Sequence, residues 1–466
     1  MINQPFIKLF KAAGEFYVYD INSNQVLKIS QSSHDALLEI MKRGGQWDHA
    51  EINQDLLALL HDGYLKDNPI RIIKHPYSSI FKSYLRGKMN SLILEITQKC
   101  NFRCEYCDYS SDEFFNRNHC SKSMSLEMAK KAIDMYFENS IYENTKSIAF
   151  YGGEPLLAYS LIKECVKYIN SKSDGNNIIY RMTTNASILT EDMIRFLSEN
   201  KFRLTISLDG PRYYHDKNRK LLSTELSGTF NLVYDKLLMI HKLQNKYPLK
   251  ININAVWDGS LPKKEIEDFF INDPVISQYP FEINSMYSSN LNNYFTMEED
   301  DILIDKKARL KKLLIRHFQG EKTFMRNEGN EYLIDSLNNH AALTAEYHHS
   351  GMCIAGQKNL YVTSDGDFFP CEKFSTNCKY AQIGTIESGL DHEKINRLLN
   401  FGQITQEECK NCWAIRLCSM CVLCANGRDV LSREVKLAYC TQRKRMILED
   451  LKSIASLIAI DKTISE

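Results

Sequence analysis

Through the middle of the chain, short apolar runs alternate with stretches in which apolar residues recur every three or four positions. The runs Leu92–Thr97, Ser147–Tyr151, Ile178–Thr184, Arg203–Leu208, Lys250–Val256 and Phe281–Met286 read as strands. Helical patterns lie between them, for instance Ser125–Asn139 and Leu156–Asn170, the second following Pro155, a good first-turn residue. Repeated βα units predict a parallel sheet, and six of them predict an α/β fold of the partial (β/α)6 barrel type. In such barrels chemistry sits at the carboxyl ends of the strands.

The flanks differ from this core. Residues 1–75 read as a small α+β unit. Phe16–Asp20 and Gln25–Ile29 are strand-like around the turn-rich Asn22-Ser23-Asn24; helices are expected at His34–Arg43 and Ile52–His61, and a closing strand within Tyr64–Ile72. His75–Lys88 reads as a linker, so that the core runs over 90–320 after a linker at 76–89. Asp300–His317 reads as a charged helix and 321–350 as a bridging segment. From Cys353 the sequence turns cysteine-rich and turn-rich, over 351–445; an amphipathic helical pattern at Arg443–Ala459 overlaps its end and leads into a terminal helical segment, 446–466.

Composition narrows the picture. The 466 residues suggest about three domains, and an apolar content of 44% suffices for substantial cores. Lys+Arg and Asp+Glu balance at 58 each, so there is no global basic field to attract nucleic acid or an anionic membrane. The N-terminus lacks a signal-peptide pattern and no apolar stretch approaches a membrane span of roughly 20 residues, so a cytoplasmic protein is expected. In a reducing compartment, 14 cysteines argue for metal or catalysis over disulfides.

Their placement supports this. Cys100, Cys104 and Cys107 follow the first core strand with spacing Cys-x3-Cys-x2-Cys. Three thiolates can hold three irons of a cubane, leaving one iron open to a small molecule. A fragment of a zinc site is the alternative for this motif alone. Strand two ends in Gly152-Gly153-Glu154-Pro155, where glycines admit close approach and a carboxylate can accept from an ammonium group. Strand three ends in Thr183-Thr184-Asn185, and strand four in Ser207-Leu208-Asp209-Gly210-Pro211, with Arg219 downstream.

Together these motifs resemble the radical S-adenosylmethionine (SAM) enzymes. The resemblance implies that Gly152, Gly153 and Glu154 hold the SAM amino group and that Ser207 and Arg219 touch its ribose and carboxylate. Hydroxyl and guanidinium groups suit those partners. Asn185 and Asp209 are further candidates, alternatively a cap and a turn. Tyr106 is expected near the adenine, or simply packed over the loop.

The C-terminal cysteines follow Cys353-x12-Gly366-x4-Cys371, then Cys409-x2-Cys412-x5-Cys418-x2-Cys421-x2-Cys424, then Cys440. This resembles the SPASM domain, which carries two auxiliary iron–sulfur clusters. The resemblance implies one cluster on Cys353, Cys371 and Cys421 or Cys424, and another on Cys409, Cys412, Cys418 and Cys440. The family spacing departs after Cys418, which leaves Cys421 and Cys424 both open. Cys378 is a further candidate ligand. Paired zinc knuckles are the alternative. Glu372, directly after Cys371, matches the place of a base in the related sulfatase-maturing enzymes.

The whole chain therefore resembles radical SAM/SPASM peptide maturases, and residues 1–75 resemble the PqqD-like winged-helix units that recognise leader peptides. The resemblance implies 4Fe-4S clusters (one SAM-binding, two auxiliary) and SAM as cofactors, a precursor peptide with leader sequence as partner, and an electron donor such as flavodoxin or ferredoxin. Thioether formation on a ribosomally made peptide is the expected reaction. Formylglycine formation by an anaerobic sulfatase maturase is the alternative, and a non-enzymatic iron–sulfur or zinc peptide scaffold is the rival of another class.

Overall fold

The computed structural model describes residues 4–44, 52–107, 109, 119–173, 177–222, 228–285, 337, 341–349, 353–427 and 429–464. The chain opens with three strands, β1 (Ile7–Ala12), β2 (Glu15–Asp20) and β3 (Gln25–Ile29), in an antiparallel sheet of that order. The sequence predicts only the last two. Helices α1 (Gln31–Lys42) and α2 (Gln54–His61) follow, each started by a side-chain cap from Ser30 or Asn53. The expected closing strand within Tyr64–Ile72 is instead β4 (Ile72–Ile73), which pairs with a segment far along the chain. The linker contains a short helix, α3 (Phe81–Leu85).

The core then alternates as predicted. In order come β5 (Ser91–Thr97), β6 (Phe102–Cys104), α4 (Leu126–Glu138), β7 (Thr145–Gly152), α5 (Tyr159–Lys172), β8 (Asn177–Thr184), α6 (Glu191–Glu199), β9 (Arg203–Ser207), α7 (Arg212–Asn218), β10 (Arg219–Leu221), α8 (Phe230–Leu243), β11 (Lys250–Trp257), α9 (Lys263–Asn272) and β12 (Phe281–Ser285). The six expected strands are all present and lie side by side in parallel, β5-β7-β8-β9-β11-β12. Met286 and the expected helix Asp300–His317 lie outside the described residues.

Strand alternation sorts the side chains. Ile148, Phe150, Tyr180, Met182, Leu204 and Ile206 are buried under the helices. The intervening Ala149, Tyr151, Arg181, Thr183 and Thr205 are half-buried on the opposite face. On α4, Ala129, Ala132, Ile133 and Tyr136 form the buried stripe, and Ser125 caps the first turn by accepting from the Met128 N–H at 3.1 Å.

The sheet does not stop at β5. After β13 (Glu346–Tyr347), the partner of β4, strands β14 (Leu360–Val362), β15 (Asp367–Phe369), β16 (Gly384–Thr385) and β17 (Gly389–Leu390) extend it. β14 pairs in parallel with β5, so the cysteine-rich region is an extension of the barrel sheet. Glu95 secures that joint. Although fully buried in β5, its carboxylate accepts from Tyr109 Oη (2.6 Å), Tyr361 Oη (2.7 Å), the Gln98 amide (3.0 Å) and the Ser364 N–H (3.0 Å). Then come α10 (His392–Leu399), α11 (Gln406–Lys410) and the long α12 (Arg433–Ile464), which starts ten residues before the expected Arg443.

The N-terminal sheet is sandwiched. One face packs Ile7, Val18 and Ile29 against Leu37, Ile40 and Leu56 of its own helices. The other packs Phe10, Tyr17, Tyr19 and Ile21 against Ala414, Ile415, Leu417, Ile447 and Leu451. No described helix is long and apolar enough to cross a membrane.

Candidate functional site

The cysteine loop leaves the carboxyl end of β5 and is clamped by the end of β7. Gly153 N–H donates to Thr97 O, and Glu154 N–H to Lys99 O, each at 2.8 Å. The two glycines serve this contact. A Cβ at Gly152 (φ +137°) would lie 2.0 Å from Thr97 O, and one at Gly153 2.2 Å from Lys99 O. Neither backbone oxygen can yield, so the glycines admit the loop's own backbone before any ligand.

Glu154 is buried beside this clamp. Its Oε1 accepts from Thr184 Oγ1 (2.6 Å) and the Leu156 N–H (3.0 Å), and its Oε2 from the Asn185 N–H (2.7 Å). Burial raises its pKa, and the three hydrogen bonds oppose that rise. The carboxylate thus has protein donors on both oxygens and ties β8 to β7. Asn185 ties the same point to the cysteine loop: its amide donates to Asn101 Oδ1 at 3.0 Å, while Asn101 donates to Ser187 Oγ at 2.9 Å. Asn101 is a site residue that the sequence pattern missed, since a lone asparagine carries no signal.

A second buried constellation closes the other side. β6 and β10 pair so that Arg219 stands opposite Cys104. Arg219 makes a two-pronged ion pair with Asp209, Nε to Oδ2 at 2.9 Å and Nη2 to Oδ1 at 3.0 Å, and its Nη1 lies 3.8 Å from Cys104 Sγ. Tyr106 donates its hydroxyl to the same Asp209, and its ring lies 5.4 Å from the guanidinium carbon. Asp209 also accepts from the Val256 N–H at 3.0 Å. Burial alone would lower the Arg219 pKa; Asp209 more than offsets it, so the guanidinium stays charged. His215, another residue the pattern left unassigned, accepts from the Asp209 N–H at 3.2 Å. Burial, helped by Arg219, lowers it to about 4, so it is neutral. Ser207 is buried at the end of β9, in register with Asn254.

The thiols group in space. Cys100, Cys104 and Cys107 lie within electrostatic reach of one another. Burial pushes Cys100 up to about 12 and Cys104 up to about 11, Arg219 pulling the latter back down. Cys353, Cys371 and Cys421 form a second coupled set. Cys409, Cys412, Cys418 and Cys440 form a third, with burial raising Cys412 to about 11 and Cys418 to about 12. Cys424 follows Cys421 in one tight turn, its N–H donating to Cys421 O at 2.9 Å, and feels the charge of both Cys421 and Cys440. Cys378 is buried, with Asn426 Oδ1 3.7 Å from its sulfur. Among the described residues no three His, Cys, Asp or Glu side chains converge on a point that suits a single metal ion. Thiols so buried ionise only beside a compensating cation, which the irons of a cluster would supply, so the donor sets fit that group. Cys120 is exposed and Cys165 is buried in the helix core.

Glu372 follows Cys371 and acts on Arg181, on the partly open face of β8. Burial lowers the Arg181 pKa and Glu372 opposes that shift; Arg181 Nη2 donates to Ser91 Oγ at 2.5 Å. The carboxylate that follows Cys371 is thereby placed near the partly open face of the barrel strands.

Residues 94–257, which carry the cysteine loop, match the radical SAM superfamily, so the barrel is a radical SAM domain, of the kind that uses SAM and a 4Fe-4S cluster. The chain is 28% identical to a cysteine-type anaerobic sulfatase-maturating enzyme of Clostridium novyi, over 71% of this chain and 86% of that one. It is 24% identical to the radical SAM cyclopropyl synthase TigE of Paramaledivibacter caminithermalis, over 57% of each chain. The solved structure of native anSMEcpe with bound AdoMet and Kp18Cys peptide shares the fold, with a TM-score of 0.57 at 21% identity over 80% of this chain and 99% of that one.

Proposed function

We propose that this enzyme oxidises a cysteine side chain in a peptide, and that its first reaction is formylglycine formation. The observation that carries this reading is the similarity to a cysteine-type sulfatase-maturating enzyme along most of both chains. The expected thioether reaction therefore becomes the second reading. In the proposed site Cys100, Cys104 and Cys107 hold the SAM-binding cluster, and Ser207 and Arg219 meet SAM. Cys353, Cys371 and Cys421 hold one auxiliary cluster, and Cys409, Cys412, Cys418 and Cys440 the other. SAM and the reduced cluster, when bound, supply a carbon radical able to abstract hydrogen. Arg219, fixed by Asp209, orients SAM, and the barrel face around Tyr151, Arg181 and Thr183 receives the peptide. Loss of a hydrogen atom from the cysteine Cβ, with one electron to an acceptor and the thiol proton to Glu372, leaves a thioaldehyde. Water then gives the aldehyde and hydrogen sulfide.

One observation favours the second reading, a thioether within a leader-bearing peptide. β3 lies at the outer edge of the N-terminal sheet, and among the described residues no strand pairs beyond it. An extended leader could add there as a strand.

The test is anaerobic turnover of cysteine-containing peptides by full-length, iron-loaded enzyme with SAM and reductant, read by mass spectrometry. Formylglycine formation removes the sulfur and leaves a hydrazide-reactive aldehyde. Thioether formation removes two hydrogens and keeps the sulfur. Neither product, with no 5′-deoxyadenosine formed, would overturn both readings.

A further inference from the structure

Lys436 is fully buried, and among the described residues no carboxylate lies within ion-pair distance of it. Its Nζ donates to Thr405 Oγ1 at 2.7 Å and lies 3.5 Å from Cys409 Sγ, above the Phe401 ring at 4.8 Å. His348, its neutral neighbour, accepts from the Gly402 N–H at 3.2 Å and lies 2.8 Å, through Nδ1, from His349 O. A buried ammonium without a counter-ion is costly. The groups placed to offset it are sulfurs, Cys409 in contact and Cys440 one helical turn along α12, which would carry negative charge as ligands of a cluster.

The pattern continues along α12. Positions 436, 440, 443 and 444 share one helical face. Lys444 acts on Cys412 and Cys440, and Arg443 on Cys418 and Cys424. Arg443 donates to Ser419 Oγ, while its buried Nε has no hydrogen-bond partner among the described residues. This face thus turns cations toward the Cys409, Cys412, Cys418 and Cys440 set.

Two effects compete at that set. The N-terminal sheet packs in one apolar cluster with the buried Cys409 and the partly buried Cys412. Burial disfavours the extra negative charge of a reduced cluster and lowers its potential, whereas hydrogen bonds to the ligand sulfurs and nearby cations raise it. We propose that Lys436 is a positioning residue that sets the potential of the second auxiliary cluster, its N–H donation to Cys409 and its charge keeping that buried cluster able to accept an electron during peptide oxidation. The inference rests on the assignment of these four thiols to one cluster.

The experiment is an EPR-monitored redox titration of iron-loaded, full-length enzyme, comparing the parent with Lys436→Gln and Lys436→Arg. Iron and sulfide content of Cys409→Ser, short by one cluster, checks the assignment separately. Lys436→Gln is expected to lower one midpoint alone, with at least a tenfold fall in its reduction equilibrium, about 59 mV for one electron. Lys436→Arg should restore most of it. If Lys436→Gln fails to retain iron, Lys436→Met is read in its place. An unmoved midpoint in the iron-replete neutral variant, or an equal shift of every midpoint, overturns the proposal.

Discussion

Asp209 ties Arg219, Tyr106 and the Val256 N–H together beside the cysteine loop. Asp209→Ala strands the Arg219 guanidinium, which is 6% exposed, and removes the acceptor for Tyr106 and the Val256 N–H. Removing one partner of a buried ion pair costs about 3–5 kcal/mol. The orphaned Val256 N–H adds about 1 kcal/mol. A loss of about 5 kcal/mol is expected, a large share of the roughly 5–15 kcal/mol that stabilises a domain. Much of this loss belongs to the abandoned charge, so Asp209→Ala/Arg219→Met should recover about 2 kcal/mol of it.

The assay is anaerobic urea unfolding of the four members of that cycle, followed by circular dichroism, with iron content measured in parallel. A cost for Asp209→Ala below about 1 kcal/mol would refute the reasoning. So would a coupling below about 0.5 kcal/mol, because residues in one network must fail to add. Arg219→Lys supplies a second check, since a single ammonium cannot reproduce the two-pronged contact.

Gly153→Ala forces a Cβ to 2.2 Å from Lys99 O, so it should part the clamp and reduce both iron retained by the cysteine loop and 5′-deoxyadenosine formation by more than tenfold. His215, lowered to about 4, makes stability fall as pH falls, because below about pH 6.5 the unfolded chain binds a proton that the folded chain refuses until about pH 4. The loss across that window is about 3 kcal/mol, and His215→Asn, which keeps an acceptor for the Asp209 N–H, should flatten the slope in denaturant titrations at pH 7 and 5. Cys421 belongs to the set of Cys353 and Cys371, so Cys421→Ala should lower iron and sulfide by one cluster while Cys424→Ala leaves them near the parent value.

What was legible in the sequence follows from what is local. The six parallel strands were readable because each carries its own apolar period, and the cysteine loop because its ligands are close together along the chain. The supports were not. Glu95 sits in an apolar strand and takes its meaning from Tyr361 and Ser364, more than 260 residues away. The two-residue pairing of β4 with β13 is too short to leave a pattern. In the sequence Gly152 and Gly153 signal only close approach, and the folded loop reveals the carbonyls they face. Lys436 lay ahead of the expected start of the last helix, so its alignment with Cys440 was hidden.

The same packing decides how the N-terminal unit should be tested. Deleting residues 1–75 is the most direct probe of leader recognition. That deletion would also strip Phe10, Tyr17, Tyr19 and Ile21 from Ala414, Ile415 and Leu417, and would open Cys409 and Cys412 to water. Arg416 would lose the carbonyls of Ile21 and Asn22, and Lys410 O its hydrogen bond from Asn68. A truncated enzyme should therefore lose iron from the second auxiliary set whether or not a leader binds. Recognition has to be probed at the far edge of the sheet, at an exposed β3 side chain outside the cluster packed with the cysteines. If substitutions at the solvent-facing Lys28 weaken binding of a long precursor while iron content stays constant, the unit reads peptide. If only iron content responds to changes in this unit, its work is to cover the cluster.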